Sequence, residues 1–158
     1  MKRIFLIALA CLLIFSAAGC DLLEKKATVG DRAPDGREEY EGAVMQYVSS
    51  TDGSLTVLIE NNTDSVWQSG NMRDYRLEVE KDGEWYTVEQ IGELANTMEL
   101  MIFAPGDALT HTFVFTERYG KLEAGKYRVA KSWWANASDT REAGEFYLYC
   151  EFIQHPSK

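Results

Sequence analysis

Cys150 and His111 are the two residues whose types could combine into a nucleophile and its base, a thiol handing its proton to an imidazole. Each alternates with polar or outward-facing neighbours in a stretch that reads as a strand, which puts both on inward faces. A buried cysteine behaves as a small hydrophobe with a protonated thiol, so the expectation for both is packing, not catalysis. The other histidine, His155, sits in a polar tail beside Pro156. A hydrolytic triad, an H-E-x-x-H zinc pattern, a glycine-rich phosphate loop and a C-x-x-C pair are all missing from the sequence. The loop carboxylates lack the spacing of a calcium loop. The chain is therefore expected not to be an enzyme and to carry no metal or cofactor. Lys131 is the remaining oddity: it shares the face of Tyr127 and Val129, and is expected to pack its stem while its ammonium reaches water, the alternative being a ligand-binding role.

Binding is the chemistry that the pattern does allow. Two connecting stretches, 61–73 and 135–144, are rich in polar residues and carry or adjoin tryptophans. If they emerge at one end of a sandwich, they bring Trp67, Asn62 and Asp64 from the first together with Trp134, Asn136 and Asp139 from the second. Aromatic anchors among adaptable polar groups make a recognition surface. The competing expectation is that Trp67, Trp133 and Trp134 close the open end of the core.

The elements needed to hold those loops are strands. Leu55, Val57 and Ile59 alternate on one face, as do Tyr75, Leu77 and Val79 against Arg76, Glu78 and Glu80 on a wet one. Asp82-Gly83 is a preferred pair for a tight hairpin, which would set Val79 opposite Tyr86. An apolar run at 98–103 follows a short connection at 90–96 with room for one helical turn. Leu109, His111, Phe113 and Phe115 then face inward, with Thr110, Thr112 and Val114 outward. The last strand offers Phe146, Leu148, Cys150 and Phe152 to the core. Between these two strands, Leu122, Gly125 and Tyr127 have the spacing L-x-x-G-x-Y, in which a tyrosine at a strand start returns its hydroxyl to backbone just upstream and pins the crossing between sheets. The whole pattern predicts an all-β, immunoglobulin-like antiparallel sandwich of about seven or eight strands.

The segments LTVLIENNT, EKDGEWYTV, APGD and YGKLEAGKYRVAKSW, in that order, resemble a family of bacterial immunoglobulin-like domains found in exported proteins and lipoproteins of Gram-positive bacteria. The resemblance covers most of the chain after about residue 40. It implies the sandwich fold and an extracytoplasmic location, and it brings no catalytic residues.

The N-terminus supplies an address. Lys2 and Arg3, an apolar run and small residues ending at Cys20 form an export signal too short to span a membrane. Ser16-Ala17-Ala18-Gly19-Cys20 resembles the bacterial lipoprotein signal, which implies cleavage before Cys20 and lipid attachment to it. The expected organisation is a signal peptide at 1–19, a flexible tether at 20–39 and one domain at 40–158. Removing Lys2 and Arg3 from the 16 basic residues leaves 14 against 25 acidic ones, a net charge of −11. Nucleic acid is an unfavourable partner for such a surface, and attraction to anionic lipid headgroups is disfavoured. The expected protein is a lipid-anchored, extracytoplasmic binding module with a protein or envelope-polymer partner. The alternative is a structural or accessory domain docked on another envelope protein through a sheet edge or face.

Overall fold

The computed structural model describes residues 25–34, 40–91, 99–138 and 142–156. Among these residues ten strands run in chain order: β1 (Val29–Arg32), β2 (Ala43–Thr51), β3 (Ser54–Asn61), β4 (Trp67–Ser69), β5 (Arg76–Lys81), β6 (Glu84–Val88), β7 (Met101–Phe103), β8 (Ala108–Val114), β9 (Gly125–Ala135) and β10 (Gly144–Gln154). One helical turn, α1 (Thr116–Tyr119), precedes the crossing to β9. Three strands form one sheet in the order β2-β3-β8, and seven form the other. In the larger sheet β9 is the axis: β10 pairs with its whole length, while β5 and β4 share its opposite edge, at Tyr127–Ala130 and at Trp134–Ala135 respectively. β6 and β1 extend the sheet from β5, and β7 extends it from β4.

Local sequence explains the β5–β6 hairpin. Asp82 and Gly83 both adopt positive φ, 54° and 82°, the twist that a two-residue hairpin requires. Val79 faces Tyr86 as expected. In β3 the strict alternation buries Leu55, Val57 and Ile59, and across the interior they meet Leu77, Val129 and Phe152 among others. Phe115 stacks on Phe152, and Tyr127 stacks on the other side of the same cluster. The corner is formed as its spacing predicts: Tyr127 Oη donates to the Glu123 carbonyl at 3.0 Å, Leu122 is buried, and Gly125 opens β9 beneath the tyrosine ring.

Part of the expected tether is built into the sheet instead. Val29–Arg32 pair with β6, and flanking backbone bonds run from Glu89 N to Thr28 O, Ala33 N to Trp85 O and Ala27 N to Lys121 O. The strand sits on a sheet edge with mostly exposed side chains, so it is held through its backbone and leaves no hydrophobic period to read. The stretch 61–73 is likewise not all loop, since β4 lies within it. Of the described residues of the apolar run at 98–103, Met101–Phe103 are strand and 99–100 are not. The connection expected at 90–96 lies mostly outside the described residues.

Candidate functional site

The turn after β3 is organised by one buried side chain. Asn61 Nδ2 donates to the carbonyls of Ser65 and Phe103, while its Oδ1 accepts from the Thr63 backbone N–H and hydroxyl. Thr63 Oγ1 in turn accepts from the indole N–H of Trp67 at 3.2 Å. The turn is thereby fixed against the core, with Asn62 and Asp64 left exposed on it. The second stretch reaches the first through Asn136 N, which donates to Val66 O at 2.9 Å, and through a 3.4 Å bond from Gln68 Nε2 to Asn136 Oδ1. The two connections do meet at one end of the sandwich. Asp139 and Cys20 lie outside the described residues.

The tryptophans divide. Trp67 has no exposed surface and packs against Trp133, Phe146 and Phe103 at centroid distances of 5.8, 5.1 and 5.9 Å. It belongs to the core and is no surface anchor, because β4 pairs it with Phe103 and Ala135 on the inner side of the sheet. One residue on, Gln68 points the other way and pairs with Ile102 on one side and Trp134 on the other. Trp134 is 50% exposed and Ile102 61%, with Leu100 exposed two residues before it. An outward row, Ile102–Gln68–Trp134, therefore crosses β7, β4 and β9, with β7 the last strand of the sheet among the described residues. Sequence reasoning missed Ile102 and Leu100. The signal was present in the unbroken apolar run at 98–103, since an edge strand cannot bury both of its faces.

Two further clusters differ from the sequence reading. Glu78, expected on a wet face, is fully buried, with Oε1 accepting from Arg76 Nε at 2.5 Å and Oε2 from Arg128 Nε at 2.6 Å. Arg128 stacks on both Trp85 and Tyr149, and Arg76 lies over Tyr147, so aromatic rings from β6 and β10 roof the carboxylate on the outer face. Lys131, expected to reach water, has no exposed surface, and its Nζ has no hydrogen-bond partner among the described residues. It is the seventh of eleven residues in β9, too far from either end for its stem to carry the ammonium out.

Cys150 and His111 do not make a dyad. Burial, with Glu151 close by, pushes the Cys150 thiol up to about 11, and its Sγ contacts the Glu151 carbonyl. Burial and then the Lys131 charge push His111 down, and its ring sits edge-on to Phe113 at 4.7 Å. A protonated thiol and a neutral imidazole on opposite sheets match the packing role expected of both. Among the described residues, no group of three or more His, Cys, Asp and Glu side chains is placed to hold a metal ion, and no helix is long and apolar enough to cross a membrane.

Two packed antiparallel sheets, a tyrosine corner at the crossing and loops gathered at one end define an immunoglobulin-like sandwich. Residues 43–147 match the model of the family described as bacterial Ig-like domain, and the chain belongs to that family. Membership points to an interaction or structural domain and not to a catalyst. Neither the curated proteins nor the solved structures contain a match to the chain.

Proposed function

We propose that this protein is an extracytoplasmic bacterial lipoprotein, held on the outer face of the cell membrane through Cys20, whose sandwich is a non-catalytic binding module. The observation that carries the binding half is the exposed row Ile102–Gln68–Trp134 across β7, β4 and β9. An aromatic ring and a branched aliphatic chain stand on either side of the Gln68 amide, which bonds to Asn136, so exposed apolar anchors and hydrogen-bonding groups share one surface, the composition of a recognition patch. The charged N-terminus, the apolar run and the small residues before Cys20 support the anchor. A surface of net charge −11 after cleavage would add nothing to lipid binding, so the acyl chains alone would hold the molecule down.

A second reading is favoured by the outward face of β8, where Val114 is half exposed and Thr112 bonds across to Thr56. Docking there would make the domain a structural accessory of another envelope protein. One experiment separates the readings. Residues 21–158, which keep β1 and omit the lipidated cysteine, are used to capture partners from native envelope, beside a Trp134→Ala/Ile102→Ser variant shown to be folded. Loss of a defined partner by the variant is the expected result. Equal capture by both would move the contact to the β8 face. The anchor has its own readout: Cys20→Ser should abolish incorporation of labelled fatty acid, and retained incorporation would overturn it.

A further inference from the structure

The chain is docked on the sandwich from Lys25 onward. Lys121 N donates to Lys25 O and Ala27 N to Lys121 O, both at 3.0 Å, Glu89 N donates to Thr28 O at 2.8 Å, and β1 then pairs with β6. With the lipid on Cys20, as proposed above, five residue steps separate the anchor from the first docked residue. Residues 21–24 lie outside the described residues, but chain length alone bounds their reach: five steps span at most about 18 Å.

That reach is shorter than the domain is wide. The larger sheet runs β1-β6-β5-β9 with β10 on the far edge of β9, so four strand spacings, about 19 Å, separate β1 from β10 before side chains are counted. The smaller sheet has the same sidedness. β8 leads through α1 to Gly120 and Lys121, where Lys25 is bonded, while β2 is the opposite edge and shares a crevice with β10. A link of this length cannot pass round the domain, so the side on which Lys25 emerges is the one turned to the anchor. Charge does not choose it, since a net −11 gives no attraction to a lipid surface. We propose that the side of the sandwich formed by residues 25–27, α1 and the turn through Glu123 lies against the lipid headgroups, with β2 and β10 turned away. This rests on the lipid-anchor reading and adds a face and a height to it: the domain is held beside the bilayer and cannot swing out into the envelope.

A fluorophore on the full-length, lipidated mature chain tests it. The label goes on Lys26→Cys, whose native side chain is 75% exposed, or on Val48→Cys, exposed on β2; Cys20 is acylated and Cys150 is buried, so neither competes. The chain is reconstituted into neutral phosphatidylcholine vesicles that carry a lipid with a nitroxide on its headgroup. Strong quenching is expected at position 26 and loss of that quenching at position 48. Inserting a Gly/Ser linker of about twenty residues between Glu24 and Lys25 is expected to remove the quenching at 26 while the chain still floats with the vesicles. Failure of the parent to float would overturn the anchor and this proposal together. Flotation with equal quenching at the two positions, with none at 26, or with quenching at 26 that survives the linker would overturn the proposal alone.

Discussion

Glu78 and Arg128 are register partners on β5 and β9, and the Arg128 Nε donates to the fully buried Glu78 carboxylate at 2.6 Å. A second arginine, Arg76, holds the other oxygen, and the aromatic rings of Trp85, Tyr147 and Tyr149 exclude water from the cluster. In such a site the charges were taken out of water at a cost that only their mutual contacts offset.

Removing one partner should therefore be worse than removing both. Arg128→Met leaves Glu78 with one arginine and should cost about 3 kcal/mol, whereas Glu78→Leu/Arg128→Met should cost markedly less, since Arg76 keeps 27% of its side chain exposed and can turn to solvent. Urea unfolding of the two variants and the parent checks the order. A double variant less stable than the single one would show that the pair contributes net stability.

The corner hydroxyl offers a smaller test. Tyr127→Phe keeps the ring that stacks on Phe152 and deletes only the bond to the Glu123 carbonyl. The expected loss is on the order of 1 to 3 kcal/mol, with no change in the native spectrum. A neutral result in thermal and urea unfolding would mean that the hydroxyl does not pin the crossing.

At Gly120, φ is +78° and an added Cβ would stand 2.0 Å from the Lys25 carbonyl oxygen. The N-terminal segment crosses directly over this glycine, bonded through Lys121 N to Lys25 O and Ala27 N to Lys121 O. Gly120→Ala should push the segment away and cost about 2 to 4 kcal/mol, by backbone strain and lost pairing together. Hydrogen exchange locates the effect: the Ala27 and Glu89 amides should lose protection before those of β9. Unchanged protection there would mean that the segment is not docked.

What the sequence made legible follows from how each contact is encoded. β3 and β10 bury every second side chain and β8 turns every second one inward, with Phe113 buried and Leu109 and His111 half-buried, so their alternation wrote both their type and their inner face into the chain, Cys150 and His111 included. The corner was legible because Leu122, Gly125 and Tyr127 act within six residues of one another. β1 was not, because an edge strand held by backbone bonds writes nothing in its side chains. Neither was the opposite fate of Trp67 and Trp134, which depends on the parity of a three-residue strand and on its register with β9. Glu78 looked wet because the rings that cover it come from other strands, with Tyr147 and Tyr149 some seventy residues away. Lys131 was recognised as out of place on its face, but its depth in the sheet was set by the length of β9.

That depth makes Lys131 visible in the pH dependence of stability. Burial pushes its pKa down to about 8, against 10.5 for an ordinary lysine, with Asp74 pulling it up and Arg118 pushing it further down. Between these two values the folded chain binds fewer protons than the unfolded one, so this group makes stability rise with pH from about 8 to about 10.5. Below 8 both states are protonated and the penalty is constant, on the order of 3 kcal/mol. Burial raises Cys150, Tyr75, Tyr119, Tyr127 and Tyr149, which works in the opposite direction, since their stability contributions are lost once pH passes the unfolded values of 9 and 10. His111, pushed below its ordinary 6.5, contributes a slope only beneath that pH. The parent curve alone is thus a composite, and the difference between the parent and Lys131→Met isolates the lysine. Lys131→Met should be the more stable chain at pH 7 by about 2 to 3 kcal/mol, and its advantage should shrink steadily as pH rises from 8 toward 10. Urea unfolding of both chains at pH 7, 8, 9 and 10 measures this, and a difference that stayed constant across that range would place the ammonium in contact with water.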